Sequence, residues 1–224
     1  TFPLNAVMSR DKGIQVNFYA AGMYSIQTPG NQVARIVQST KYPAEGEISI
    51  VLELPKPENL TLWLRVPEWS LQTTLYVNGE PVGGIISGQY TAIRRKWNNG
   101  DIIKLVLDMR GRLLTMEGLP EHFAIVRGPV VLSRDARLPG LPVDFHVSPI
   151  TDKEGIIDLE PVAESRHDVW MRFKATFIPE SYAEEGGQPL TLTLCDYASA
   201  GNTYSEHSCF RTWFPLQLDP DTIE

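Results

Sequence analysis

Three kinds of residue in this sequence have types and spacings that could do chemistry: paired carboxylates, histidines beside acids, and tryptophans. Glu45 and Glu47, Glu184 and Glu185, and Asp219 and Asp221 are close in sequence. Two carboxyls about 5 to 10 Å apart, in surroundings that split their pKa values, can hydrolyse a glycosidic bond by general acid and base. All three pairs fall in polar loops or the tail, where solvated charge is the expected state. The histidines are His122, His146, His167 and His207. Asp144-Phe145-His146 and Glu206-His207 each offer a metal two ligands, but no third and fourth ligand is signalled. Cys195 and Cys209, the only cysteines, stand outside any C-x-x-C or histidine-spaced pattern. Two separate thiols are the simpler reading, and a disulfide remains open because spacing does not fix pairing. There is no Gly-x-Ser-x-Gly elbow and no phosphate-cradling glycine pattern. No catalytic residue and no metal site is read from this chain.

The tryptophans are more informative. Trp63, Trp69, Trp97, Trp170 and Trp213 supply flat apolar faces of the kind that pack on the C–H faces of sugar rings. Trp63 and Trp170 fall on the polar sides of their expected strands, so they are the candidate carbohydrate-binding residues, or else contacts to a neighbouring domain. Aromatic residues also dominate cores, which is the competing role for all five.

The element that would position Trp63 is the best defined in the chain. Within residues 60–108, Leu60, Leu62, Leu64 and Val66 alternate with Thr61, Trp63 and Arg65, the period of a half-buried strand. Pro67 ends it, because proline has no N–H for a ladder bond. Leu75 and Val77 begin the next strand, which runs into Asn78-Gly79, the dipeptide best suited to a type I′ hairpin. Residues 90–94 and 103–107 follow, separated by a second turn at Asn98-Asn99-Gly100-Asp101. Four short strands with a turn about every ten residues mark a sandwich or barrel.

The rest of the chain reads the same way. Ile14, Val16 and Phe18 share one face of a first strand, and residues 33–39 form another. Ile48, Ile50, Leu52 and Leu54 alternate with Glu47, Ser49, Val51 and Glu53. Residues 123–126 and 130–132 flank a sharp Gly128-Pro129 turn. Later, Val169, Met171, Phe173 and Ala175 alternate, as do Leu190, Leu192 and Leu194, across the polar loop 179–189; residues 210–214 supply a last strand. No three-turn helical stripe occurs. The expected fold is all-β: two antiparallel β-sandwich domains in series. The Arg-, Pro- and Gly-rich run at residues 134–142 has the composition of a linker, so the domains are expected at 1–137 and 138–224.

The 224 residues carry a formal net charge of −7, which argues against nucleic acid as a partner. No apolar run approaches the length of a membrane span. The first residues lack a basic segment followed by an apolar one, and there is no initiator Met; a mature or excised fragment is expected, and a fragment can lose its targeting signal.

With these residues in view, the chain resembles the carboxy-terminal part of glycoside hydrolase family 127, the β-L-arabinofuranosidase family. The resemblance rests on Val16-Asn17-Phe18-Tyr19, Leu64-Arg65-Val66-Pro67-Glu68-Trp69, Val77-Asn78-Gly79-Glu80, Trp97-Asn98-Asn99-Gly100-Asp101 and Val126-Arg127-Gly128-Pro129-Val130-Val131. Asp196-Tyr197-Ala198-Ser199-Ala200-Gly201 and Phe210-Arg211-Thr212-Trp213-Phe214-Pro215 complete it, in the family's order. It implies an amino-terminal (α/α)₆ barrel with a cysteine nucleophile, a zinc held by cysteines and a glutamate, and a second glutamate as acid/base. No residue here matches those motifs, so the barrel, and any zinc with it, is expected to be missing. The implied role is that of a non-catalytic accessory region that packs on and supports the barrel. Possible partners are that barrel, carbohydrate and a second copy of the chain, in the periplasm or outside the cell. A carbohydrate-binding module and an adhesion or structural sandwich stand as the alternatives.

Overall fold

The computed structural model describes residues 5–179, 188–205 and 208–215. They form two compact units, Thr1–Met109 and Arg110–Glu224.

The first unit holds ten strands: β1 (Val7–Arg10), β2 (Gly13–Val16), β3 (Gly22–Gln27), β4 (Val33–Thr40), β5 (Glu47–Glu53), β6 (Glu58–Arg65), β7 (Thr74–Val77), β8 (Glu80–Pro81), β9 (Tyr90–Trp97) and β10 (Asp101–Val106). They make a four-stranded sheet ordered β1-β2-β6-β9 and a six-stranded sheet ordered β3-β4-β5-β10-β7-β8. The inward residues of the alternating patterns meet in one core. Ile14, Val16, Leu60, Leu62, Leu64 and Ile93 come from the smaller sheet, and Ile36, Ile48, Ile50, Leu52, Leu75 and Leu105 from the larger. Two sheets that close on a shared apolar layer are a β-sandwich. Asn78 and Gly79 take φ of 53° and 85°, the left-handed pair a type I′ turn requires.

Two details depart from the expected pattern. β2 and β6 run parallel, because the chain crosses through the larger sheet before it returns. Phe18, expected to point inward, is exposed while Tyr19 is buried and donates its hydroxyl to Arg65 O at 2.6 Å. The first strand ends at Val16, and alternation has no meaning beyond a strand's end.

The second unit holds β11 (Gly111–Met116), β12 (Leu119–Arg127), β13 (Val130–Asp135), β14 (Val147–Pro149), β15 (Ile156–Ile157), β16 (Glu160–Pro161), β17 (Arg172–Pro179), β18 (Leu190–Asp196), β19 (Phe210–Arg211) and β20 (Phe214–Pro215). The ladder runs β14-β17-β18-β13-β12-β11-β15, and β16, β19 and β20 branch onto β17, β13 and β12. The single strand expected at residues 210–214 is thus two short ones on different partners. Their insertion brings Phe214 edge-on to both Phe123 of β12 and Phe177 of β17, with centroids at 5.3 and 6.4 Å. These three buried rings centre the unit's core. Most of the polar loop 179–189 lies outside the described residues.

The units divide earlier than the expected boundary at residue 137. β11, β12 and β13 pair with β15, β18, β19 and β20 and so belong to the second unit. The linker-like run 134–142 is held fast. Arg134, 3% exposed, donates to the carbonyls of Leu141, Pro142 and Phe145. Burial and the neighbouring Arg211 cation pull its pKa down to about 10, so it stays charged at neutral pH. A proline- and glycine-rich loop whose carbonyls are satisfied by a buried guanidinium has linker composition without linker freedom.

Candidate functional site

The candidate carboxylates separate by surroundings. Glu45 pairs with Lys41 and Glu47 with Lys104, each at 2.9 Å and well exposed. Both are solvated surface ion pairs. Glu184, Glu185, Asp219 and Asp221 lie outside the described residues, as does the Glu206-His207 pair.

Asp144 is paired with Arg211, and the His167 side chain is 96% exposed. Among the described residues no group of three or more His, Cys, Asp or Glu side chains could hold a metal. Cys195 is buried and Cys209 exposed, both as free thiols. Burial, and then the nearby Asp135 and Asp196 carboxylates, push the Cys195 thiol up to about 12. Burial thus disfavours the free thiolate that a cysteine nucleophile requires.

The five tryptophans divide by role. Trp97 is fully buried and donates its indole N–H to Leu60 O at 3.2 Å. Trp69 packs half-buried against the first unit's core. Trp213 lines a small apolar hollow of about 170 Å³ with Leu114, Ala124, Val131, Tyr197 and Thr212. Trp170 is 59% exposed, and its backbone N–H is held by Ser199 Oγ at 2.9 Å. Ser199 is in turn fixed by Asp196, through its hydroxyl at 2.9 Å and its amide at 3.0 Å. The Asp196–Ser199 turn thus anchors the segment that presents Trp170.

Trp63 sits on the outer face of the four-stranded sheet. Residues paired across strands project on the same side, so the register places Arg10, Gly13, Thr61 and Arg94 in one outward row and Met8, Gln15, Trp63 and Ala92 in the next. Asn59 pairs with Lys96 and Arg65 with Tyr90 on the same face. The Arg10 guanidinium lies 4.5 Å from the Trp63 ring centroid, a cation–π contact, and also donates to Gln15. Gln15 and the Tyr90 hydroxyl both donate to Asn17 Oδ1, at 2.6 and 2.7 Å. Beside Trp63 a groove of about 660 Å³ is lined by Lys12, Pro29, Asn59, Thr61, Arg94 and Arg95, among others. A Cβ at Gly13 would stand 1.9 Å from Thr61 O, so only glycine lets β2 and β6 approach this closely beneath the groove. The groove was not legible in the sequence, because its residues come from two strands and two turns.

The opposite sheet presents a different surface. On the outward side of the larger sheet, Met23, Val37, Val51 and Ile102 are register partners across β3, β4, β5 and β10. Met23 and Ile102 are 59% and 47% exposed. The row is bracketed by the Arg35–Glu53 and Lys104–Glu47 ion pairs.

Comparison with known proteins fits this architecture. By fold the chain is similar to β-rich regions of solved glycoside hydrolase structures. A structure titled "Glycoside hydrolase" superposes with a TM-score of 0.77 at 24% identity, over 92% of this chain and 36% of that one. The GH127 β-L-arabinofuranosidase of Geobacillus stearothermophilus gives 0.75 at 19% identity, over 96% and 35%. A GH127 β-arabinofuranosidase gives 0.72 at 20%, over 92% and 35%. The chain thus spans about a third of the length of the structures it matches. No curated protein sequence matches it. Residues 13–109 match the family described as "Beta-L-arabinofuranosidase, GH127 middle domain". That match falls within the first unit, so the first unit resembles a GH127 middle domain and the chain as a whole resembles part of a family 127 protein. No helix among the described residues is long and apolar enough to cross a membrane.

Proposed function

We propose that this chain is the non-catalytic β-sandwich region of a family 127 glycoside hydrolase, and that it packs on and supports the catalytic barrel. The observation that carries this reading is the apolar row Met23–Val37–Val51–Ile102 on the outward face of the larger sheet. A contiguous apolar strip rimmed by charge is the usual form of a protein contact surface. A middle domain has neighbours in its own chain to cover such a strip. The barrel supplies the nucleophile, the acid/base and any zinc; this region supplies a rigid support. On the same family basis we place the parent enzyme in the periplasm or outside the cell.

The test is Val51→Lys in the parent enzyme and in this chain alone. Val51 is half-buried on an outward face, so the isolated chain should melt within about 0.5 kcal/mol of the unchanged one. In the parent, the lysine should open the interdomain contact, seen as a separate melting transition and earlier proteolytic cleavage between domains. An unchanged parent would contradict the docking face. So would a parent whose domains stay together while a dimer dissociates in sedimentation, since the row would then serve a second copy.

A further inference from the structure

The outer face of the four-stranded sheet carries a charge balance opposite to that of the chain. Arg10, Lys12, Arg65, Arg94 and Lys96 stand on its outward positions or on the β1–β2 turn, while those strand positions hold no carboxylate. The whole sequence is net −7. The acids that border this face are largely occupied. The Glu58 carboxylate accepts from Thr28 Oγ1, Gln32 Nε2 and the Gly30 amide, each at 2.6 Å. Burial alone would raise its pKa, but those three donors hold it below the usual carboxylate range. Asp101 accepts from Asn78 and the Asn98 amide at 2.9 Å, and lies 4.0 Å from Arg95. Asp11 is exposed in the same turn as Lys12. Lys12 and Arg94, by contrast, make no ion pair with any described residue.

We infer that the groove beside Trp63 binds a carboxylate-bearing saccharide, a uronate, through Lys12 and Arg94. This inference rests on the family 127 reading for the class of molecule handled. The shape favours a small ligand over a protein surface, because about 660 Å³ lies within the range of small-molecule clefts. The chemistry favours an acidic sugar over a neutral one. Arg94 projects a guanidinium that matches a carboxylate in bidentate fashion. Asn59 and Thr61 offer hydrogen bonds between the two cations, and Trp63 gives an apolar flank. Arg10 already covers the Trp63 ring, so the sugar meets the edge of the indole, with charge and hydrogen bonds carrying specificity.

The experiment is calorimetric titration of the full chain with trigalacturonate, with a neutral arabinotriose and with tripolyphosphate. Trigalacturonate should bind, at least about tenfold tighter than the neutral trisaccharide, and should weaken several-fold as salt rises from low to physiological strength. Arg94→Gln should weaken it about tenfold. Lys12→Asn should do likewise, since asparagine tolerates the φ of 67° at that position. Both sites are exposed, so the melting temperature should not move. Silence with trigalacturonate overturns the inference, as does equal binding of the neutral sugar, tighter binding of tripolyphosphate, or loss of binding only in variants that unfold. None of these outcomes touches the apolar row on the other sheet, whose failure is read separately through Val51→Lys.

Discussion

Replacing Arg137 with methionine is expected to lower the stability of the second unit by about 3–5 kcal/mol, the range seen when one member of a buried ion pair is removed. Its guanidinium grips Asp135 with two bonds, Nε to Oδ1 at 2.8 Å and Nη2 to Oδ2 at 2.6 Å. It also reaches Asp168 at 3.0 Å, Asn202 at 2.7 Å and the Ser199 carbonyl at 2.8 Å. The Asp135 side chain is wholly buried and that of Arg137 is 9% exposed. Without the cation, Asp135 would keep only the amides of Gly201 and residue 137. The same group gives the fold an acid limit. Burial alone would raise the Asp135 pKa, but the Arg137 guanidinium and the Gly201 amide outweigh it and hold the carboxyl below its usual range. A depressed folded-state pKa contributes stability that is full above the unfolded value near 4 and fades as pH falls through the folded value. Thermal melts at pH 7 and pH 3 should therefore show the gap between the unchanged chain and Arg137→Met narrowing in acid. A gap under about 1 kcal/mol at pH 7 would show that the pair contributes little net stability.

Trp97→Ala should cost the first unit about 3–5 kcal/mol, the range for truncating a buried large aromatic. Trp97 is fully buried at the end of β9, opposite Glu58 of β6, and its N–H bonds the Leu60 carbonyl. Arg95 stacks 5.3 Å from its ring centroid. Trp97→Phe should recover much of the loss but leave that carbonyl without its donor, a residual of about 1 kcal/mol. Denaturant unfolding followed through the first unit measures both. Equal losses in Phe and Ala would place the hydrogen bond, not packing, at the centre of this residue's role.

The alternation in residues 60–66 and the Asn78-Gly79 turn were legible in the sequence because each depends only on neighbours a few positions away. The outward row of Val37 and Val51 could be anticipated in part, since Val51 interrupts the polar side of its strand. Its extension to Met23 and Ile102 depends on register, which strand-by-strand patterning does not encode. The boundary expected at residue 137 rests on the linker composition of residues 134–142, whereas the compact units meet at Met109 and Arg110. Arg134 makes that segment part of the second core, and a buried cation bonding three carbonyls leaves no periodic signal. The basic groove escaped for the same reason: Arg10, Lys12 and Arg94 become neighbours only through the order β1-β2-β6-β9. Trp63 and Trp170 were singled out by strand parity alone. The structure gives Trp63 a cation-lined setting and leaves Trp170 exposed above a fixed turn.

We propose that these residues support a catalytic domain and perform no hydrolysis of their own. The most direct measurement is turnover of an aryl β-L-arabinofuranoside by the purified 224-residue chain, with zinc and reductant supplied. The expected rate equals that of buffer alone. Turnover that purifies with the chain and disappears in a Cys195→Ala variant of unchanged stability would contradict the claim, and would place a nucleophile where the structure holds a buried, protonated thiol.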